Sequence, residues 1–123
     1  MRTTDYVDRE IEKLSLVLKA ILKQIIRSKE GIPELNEEII VQQTQVNFSD
    51  LIDGSLEDFK FNIESFTLDQ KEMILQIFNA LYIKTDQDAF KALLKAKIIY
   101  MLDVLDLQTK TFSIDRQQIR NNL

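Results

Sequence analysis

The sequence predicts an all-α protein: a single domain of five to seven helices with helical-hairpin packing. Three observations carry this. Apolar residues recur at spacings of three and four along most of the chain, the period of one helix face. Only two glycines and one proline occur in 123 residues, too few for the many tight turns of a sandwich or barrel. Helix-starting residues also stand directly before several of the periodic stretches. One domain, residues 1–123, fits the length, and a chain this long can bury a core without disulfide staples.

The first helix is expected from Asp5 to about Lys29. Val7, Ile11, Leu14, Leu18, Ile21 and Ile25 form its apolar stripe, flanked by Val17, Leu22 and Ile26. Asp5 is placed to cap it, since a carboxylate accepts from the free N–H groups of a first turn. Asp8, Glu10 and Glu12 then sit near the positive end of the helix dipole, and Lys23, Arg27 and Lys29 near the negative end. The apolar arc covers about half the circumference. It therefore calls for two neighbouring helices, or one helix and a second subunit.

Gly31 is placed to end this helix, and Pro33 fits the first position of the next, expected over 33–46. Glu34, Glu37 and Glu38 load its start with the favourable sign. Ile39-Ile40-Val41 is β-branched and reads alternatively as a short strand. Asn47 to Ser55 is the most loop-like stretch, with Ser49 or Asp50 capping a short turn around Phe48, Leu51 and Ile52. Ser55 opens a short helix over about 56–64 that buries Phe59 and Ile63. Thr67-Leu68-Asp69-Gln70 is a capping box, predicting a helix over about 68–83 with Ile74, Leu75, Ile77, Phe78, Leu81 and Tyr82 apolar. Thr85 or Asp86 caps the next, about 87–107, whose apolar residues wrap most of the circumference. Such a helix is expected at the centre of its domain. The short 84–86 connection makes these two antiparallel neighbours. Ser113 caps a final short helix carrying Ile114, Ile119 and Leu123.

Composition excludes several kinds of chemistry. The chain has no cysteine and no histidine. Thiolate nucleophiles, Cys-based zinc sites and Ser-His or Cys-His catalysis are therefore impossible. What remains for an enzyme is carboxylate and lysine chemistry, so a non-enzymatic role without cofactor is expected. No apolar run reaches the ~18 residues of a membrane span, and the start of the chain lacks a signal-peptide core. A cytoplasmic location and no membrane partner are expected. The net charge of −4 is unevenly placed: +3 over residues 1–29, −9 over 30–70 and +2 over 71–123. The overall sign argues against nucleic acid as a partner. The acidic middle is expected to dock beside the basic first helix; its alternative role is a face for a basic partner.

Three stretches carry a resemblance. Asp5-Tyr6-Val7-Asp8-Arg9-Glu10-Ile11-Glu12 resembles the opening of a small uncharacterised bacterial family, whose members begin Asp, aromatic, aliphatic, any residue, Arg, Gln, Ile, Glu. Glu10 stands where the family has Gln. Phe48–Phe59 and Asp69–Leu81 are similar to that family's middle. The resemblance implies a helical, tetratricopeptide-like protein with no established activity. Ala89, Leu93 and Ala96 fit the small–bulky–small spacing of the second helix of such a repeat. Gln76 and Ile77 do not fit the first, so one degenerate hairpin is expected rather than an array.

Candidate sites are few. Asp50, Asp53, Glu57 and Asp58 cluster around a glycine turn, but without the alternating order of a calcium loop; capping explains them, and no metal is expected. Lys97 lies within the apolar stripe of Phe90, Leu94, Met101 and Val104. A buried lysine is a candidate base or nucleophile; more simply, its stem follows the core and its ammonium meets a carboxylate at the edge. Tyr6, Tyr82 and Tyr100 read as core-edge aromatics, and Arg9 as an ion-pair partner of Glu12 or Asp5. The favoured function is a protein-interaction or scaffold module, binding a protein partner or itself through the stripe from Val7 to Ile25. The alternative is a small-ligand binder or carboxylate/Lys enzyme with an interhelical pocket at Lys97.

Overall fold

The computed structural model describes residues 3–27, 48–111 and 113–123, with side-chain surroundings from Leu14 and from Asp50 onward. The expected helix over 33–46, with Glu34, Glu37 and Glu38, lies outside the described residues. So do the side chains of Tyr6, Val7, Arg9 and Ile11.

Among the described residues the chain is helical without strands, in six helices: α1 (Thr3–Arg27), α2 (Phe48–Asp53), α3 (Leu56–Ile63), α4 (Leu68–Lys84), α5 (Asp88–Thr109) and α6 (Ile114–Asn121). α1 begins two residues before Asp5, which therefore lies inside the first turn rather than at the cap. α2 is a helical turn and a half closed by Gly54, whose N–H donates to the Asp50 carbonyl at 2.8 Å. Ser55 caps α3, accepting from the Asp58 N–H at 3.1 Å. Thr67 and Gln70 form the reciprocal capping box of α4, at 3.1 and 3.0 Å. Ser113 caps α6 by accepting from the Arg116 N–H at 3.2 Å.

The start of α5 differs from expectation. Its cap residue is Gln87, which contributes no side-chain bond. The Thr85 hydroxyl is occupied with the Gln87 N–H at 3.3 Å, so it ties the connection together one step before the helix begins. The end is set by Lys110, which adopts left-handed dihedrals (φ 54°, ψ 27°) and donates its N–H to the Asp106 carbonyl.

Lys71, near the start of α4, reaches Gln108, near the end of α5, at 3.1 Å. The two long helices thus form an antiparallel hairpin. α4, not α5, is the central element: α1 packs on one side of it and α5 on the other. Ile74, Leu75, Ile77, Phe78 and Leu81 of α4 are all buried; adjacent pairs such as Ile74-Leu75 and Ile77-Phe78 diverge by about 100° and so feed two interfaces. Leu18, Ile21 and Ile25 of α1 meet them from one side; Leu94, Ile98, Met101, Leu102 and Leu105 of α5 from the other. The described part of the acidic stretch, α2 and α3, lies chiefly against α5 rather than α1. No described helix is long and apolar enough to cross a membrane.

Candidate functional site

Two buried cations pin short helices to α5, Lys97 on one side and Arg116, through Asp106, on the other. Lys97 is 0 % exposed. Its Nζ donates to the backbone carbonyls of Leu51 at 2.9 Å and Ile52 at 2.7 Å. The last carbonyls of any helix have no partner within it. In α2, Gly54 takes the Asp50 carbonyl and Lys97 takes the next two. The ammonium also lies 5.5 Å from the centre of the Phe59 ring. Burial pushes the Lys97 ammonium below its ordinary range, and the charge of Asp53 opposes that shift. Lys97 therefore does not run out to a carboxylate at the edge of the core. It turns inward, because the end of α2 supplies two acceptors directly over it.

Arg116, in the first turn of α6, is 5 % exposed. Its Nε donates to Asp106 at 2.7 Å, and one terminal nitrogen pairs with Glu72. The other donates to the Thr109 hydroxyl and the Thr111 carbonyl, both at 3.1 Å. Burial lowers the tendency of the guanidinium to stay charged, but the bonds and charges of Asp106 and Glu72 outweigh it, so its pKa is raised. One side chain thus joins α4, α5, the 109–111 turn and α6. Arg120 adds contacts to Asp103 at 3.1 Å and Asp106 at 3.2 Å. Sequence reasoning did not single out Arg116. The available signal was Asp103 and Asp106 three residues apart, followed by Arg116 and Arg120 four residues apart, each pair one helical turn.

Among the described residues, no buried side-chain nitrogen or oxygen is left without a partner. Both cations act as anchors, and neither presents a reactive atom to solvent. No three described carboxylates converge as a metal site requires; Asp50, Asp53, Glu57 and Asp58 surround the turn between α2 and α3. Tyr100 and Tyr82 are half-buried, beneath the ammonium groups of Lys60 at 5.0 Å and Lys91 at 4.8 Å.

Among the described residues, the anchors leave one face of α5 partly uncovered. Ala89, Leu93, Ala96, Tyr100, Val104 and Leu107 recur at spacings of four and three down its whole length, flanking the buried residues. Ala89 and Leu107 are exposed, Leu107 by 75 %, and the other four are half-buried. The Ala89-Leu93-Ala96 row thus faces outward, not toward α4. At its lower end Tyr100, Val104 and Leu107 line an open cleft of about 150 Å³ with Ile63 and Lys71. That is below the ~300–1,000 Å³ of a typical small-molecule site and of a size for one apolar side chain. By contrast, Leu18, Ile21 and Ile25 of the α1 stripe are consumed in the chain's own core, and Leu14 packs on its edge.

Compared with known proteins, the chain matches no family model, no curated protein and no solved structure.

Proposed function

We propose that this chain is a protein-interaction module, a tetratricopeptide-like helical hairpin with supporting short helices, whose binding face is the outer side of α5. The observation that carries the reading is the row from Ala89 to Leu107, apolar over about five turns, in which Ala89 and Leu107 are exposed and the four residues between them half-buried. Lys97 and Arg116 serve the same purpose from behind. One fixes α2 and α3 along one flank of the face; the other fixes α6 at its end. No catalytic role is assigned to Lys97, whose ammonium is enclosed and engaged by two carbonyls.

The test is affinity capture from native extract with the wild-type chain, Leu107→Lys and a control, Leu16→Lys. Leu16 is 60 % exposed on α1, away from the proposed face. Leu107→Lys is expected to keep its melting temperature and to lose the captured protein, while Leu16→Lys keeps both. Capture that survives Leu107→Lys, or that Leu16→Lys abolishes equally, refutes the assignment of the face.

A further inference from the structure

We propose that α6 is a displaceable strap: within its own chain it fills a groove along the α4–α5 hairpin that accepts an arginine-bearing amphipathic helix of a partner protein.

The groove is defined by what lies in it. Arg116 pairs with Asp106 and Glu72, and Arg120 with Asp103 and Asp106. Further on, the Leu123 carbonyl accepts from the Lys95 ammonium at 3.5 Å. As α6 advances its partners move back along α5, so the two helices are antiparallel. Glu72 places α6 against α4 as well, and Gln76 and Asn79 of α4 border Ile119 and Asn122. Ile119, buried, and Leu123, half-buried, pack on the core as the floor of this seam. Its walls are acidic on both sides: Glu72 on α4, Asp103 and Asp106 on α5. Arg116, Ile119 and Arg120 stand at i, i+3 and i+4, one face of a helix. Anchors at those positions are how an amphipathic helix is read by a groove.

The strap is held less firmly than the hairpin beneath it. α6 has eight residues, of which Arg116 and Ile119 are the buried ones. A helix needs ~12–15 residues to persist alone in water, so α6 that leaves the groove also unfolds. The carboxylates that hold it reach solvent: the side chains of Glu72, Asp106 and Asp103 are 35, 45 and 63 % exposed. Such groups rehydrate readily when their arginines leave, and salt screens their pairs. Opening of α6 is therefore a local event that precedes global unfolding. It bares an apolar floor between acidic walls, complementary in charge and spacing to a helix carrying Arg-x-x-aliphatic-Arg. The tether from α5 spans only residues 110–113, which keeps the strap at an effective concentration in the millimolar range. A partner helix competes against that concentration.

The test adds an unlabelled peptide of the sequence Ser113–Leu123 to the isotope-labelled full chain and follows amide exchange of the chain. At saturating peptide, Ile114–Asn121 are expected to exchange about tenfold faster while Ile74–Leu81 stay unchanged. The same peptide carrying Arg116→Gln and Arg120→Gln is expected to have no effect. Anisotropy of the fluorescein-tagged peptide supplies the second arm. Ser113→Ala in the chain removes the cap of the strap but no group of the groove, so the peptide is expected to bind it about fivefold more tightly than wild type. Asp106 and Leu107 are adjacent and point about 100° apart, so Leu107→Lys is expected to leave peptide binding unchanged. No binding to the Ser113→Ala chain at millimolar peptide overturns the groove, as does binding lost in Leu107→Lys or retained by the glutamine peptide. Binding that leaves exchange of Ile114–Asn121 unchanged, or that Ser113→Ala does not tighten, overturns the competition. A wild-type chain that sediments as a dimer dispersed by the peptide gives the groove to α6 of a second copy and overturns the partner protein.

Discussion

Replacing Lys97 by Met tests whether a buried cation anchors the fold. Met matches the length of the lysine stem, so the cavity stays filled. The substitution removes the two bonds at 2.9 and 2.7 Å to the carbonyls of Leu51 and Ile52. A buried acceptor left without a donor costs about 1–3 kcal/mol. The Leu51 carbonyl bears most of this, because that of Ile52 lies nearer the surface and can turn to water. Relief from desolvating an ammonium offsets part of the loss. The expected net destabilisation is about 1–2 kcal/mol, or about 4–8 °C in Tm for a domain of this size. Urea unfolding followed by circular dichroism measures it. The pH dependence gives an independent check. The folded-state pKa of Lys97 lies below its ordinary 10.5, so between those two values the unfolded chain binds more protons than the folded one. Stability contributed by Lys97 therefore rises with pH through that window. The gap between wild type and Lys97→Met is expected to widen as pH rises toward 10.5. A variant as stable as wild type, or a gap that narrows with pH, refutes the anchoring argument.

Three further substitutions probe the supports of the face. Arg116→Met removes the joint between α4, α5 and α6; Glu72 and Asp106 are exposed enough to rehydrate, so the expected loss is about 2 kcal/mol. Amide hydrogen exchange over Ile114–Asn121 should speed up, and unchanged protection there would contradict the role given to Arg116. Thr67→Ala breaks the capping box and is expected to cost about 1 kcal/mol, read from the urea midpoint at constant slope; no shift would mean that the cap adds nothing beyond packing. Gly54→Ala places a Cβ against the Asp50 carbonyl oxygen, which cannot move without disturbing the bond that closes α2. A loss of about 1–3 kcal/mol is expected, and a neutral result in the same assay would show that the turn yields freely.

Much of the local structure was legible in the chain. Ser55, Thr67 with Gln70, and Ser113 act within three residues of themselves, so the capping signal and its structural outcome share one short segment. The apolar periods of α1 and α4 specify helices for the same local reason. The cap of α5 was not legible, because Thr85, Asp86 and Gln87 compete within one turn and the winner depends on where Thr85 spends its hydroxyl. Lys97 was visible as a charge on an apolar stripe, but its partners were not. They are backbone carbonyls some 45 residues away, and a carbonyl has no signature in sequence. Arg116 was hidden by the same distance: Glu72 meets it only after α4, α5 and α6 have packed.

The long helices, the caps at Ser55, Thr67 and Ser113, and the exclusion of thiol and imidazole chemistry follow from sequence alone, since composition and contacts within a turn decide them. Which helix is central, and which side of α5 is left outside, only packing could decide. α5 is apolar around most of its circumference, so its own residues favour no one direction. Packing against α4 buried Leu94, Ile98, Met101, Leu102 and Leu105, and Ala89 and Leu107 were left exposed.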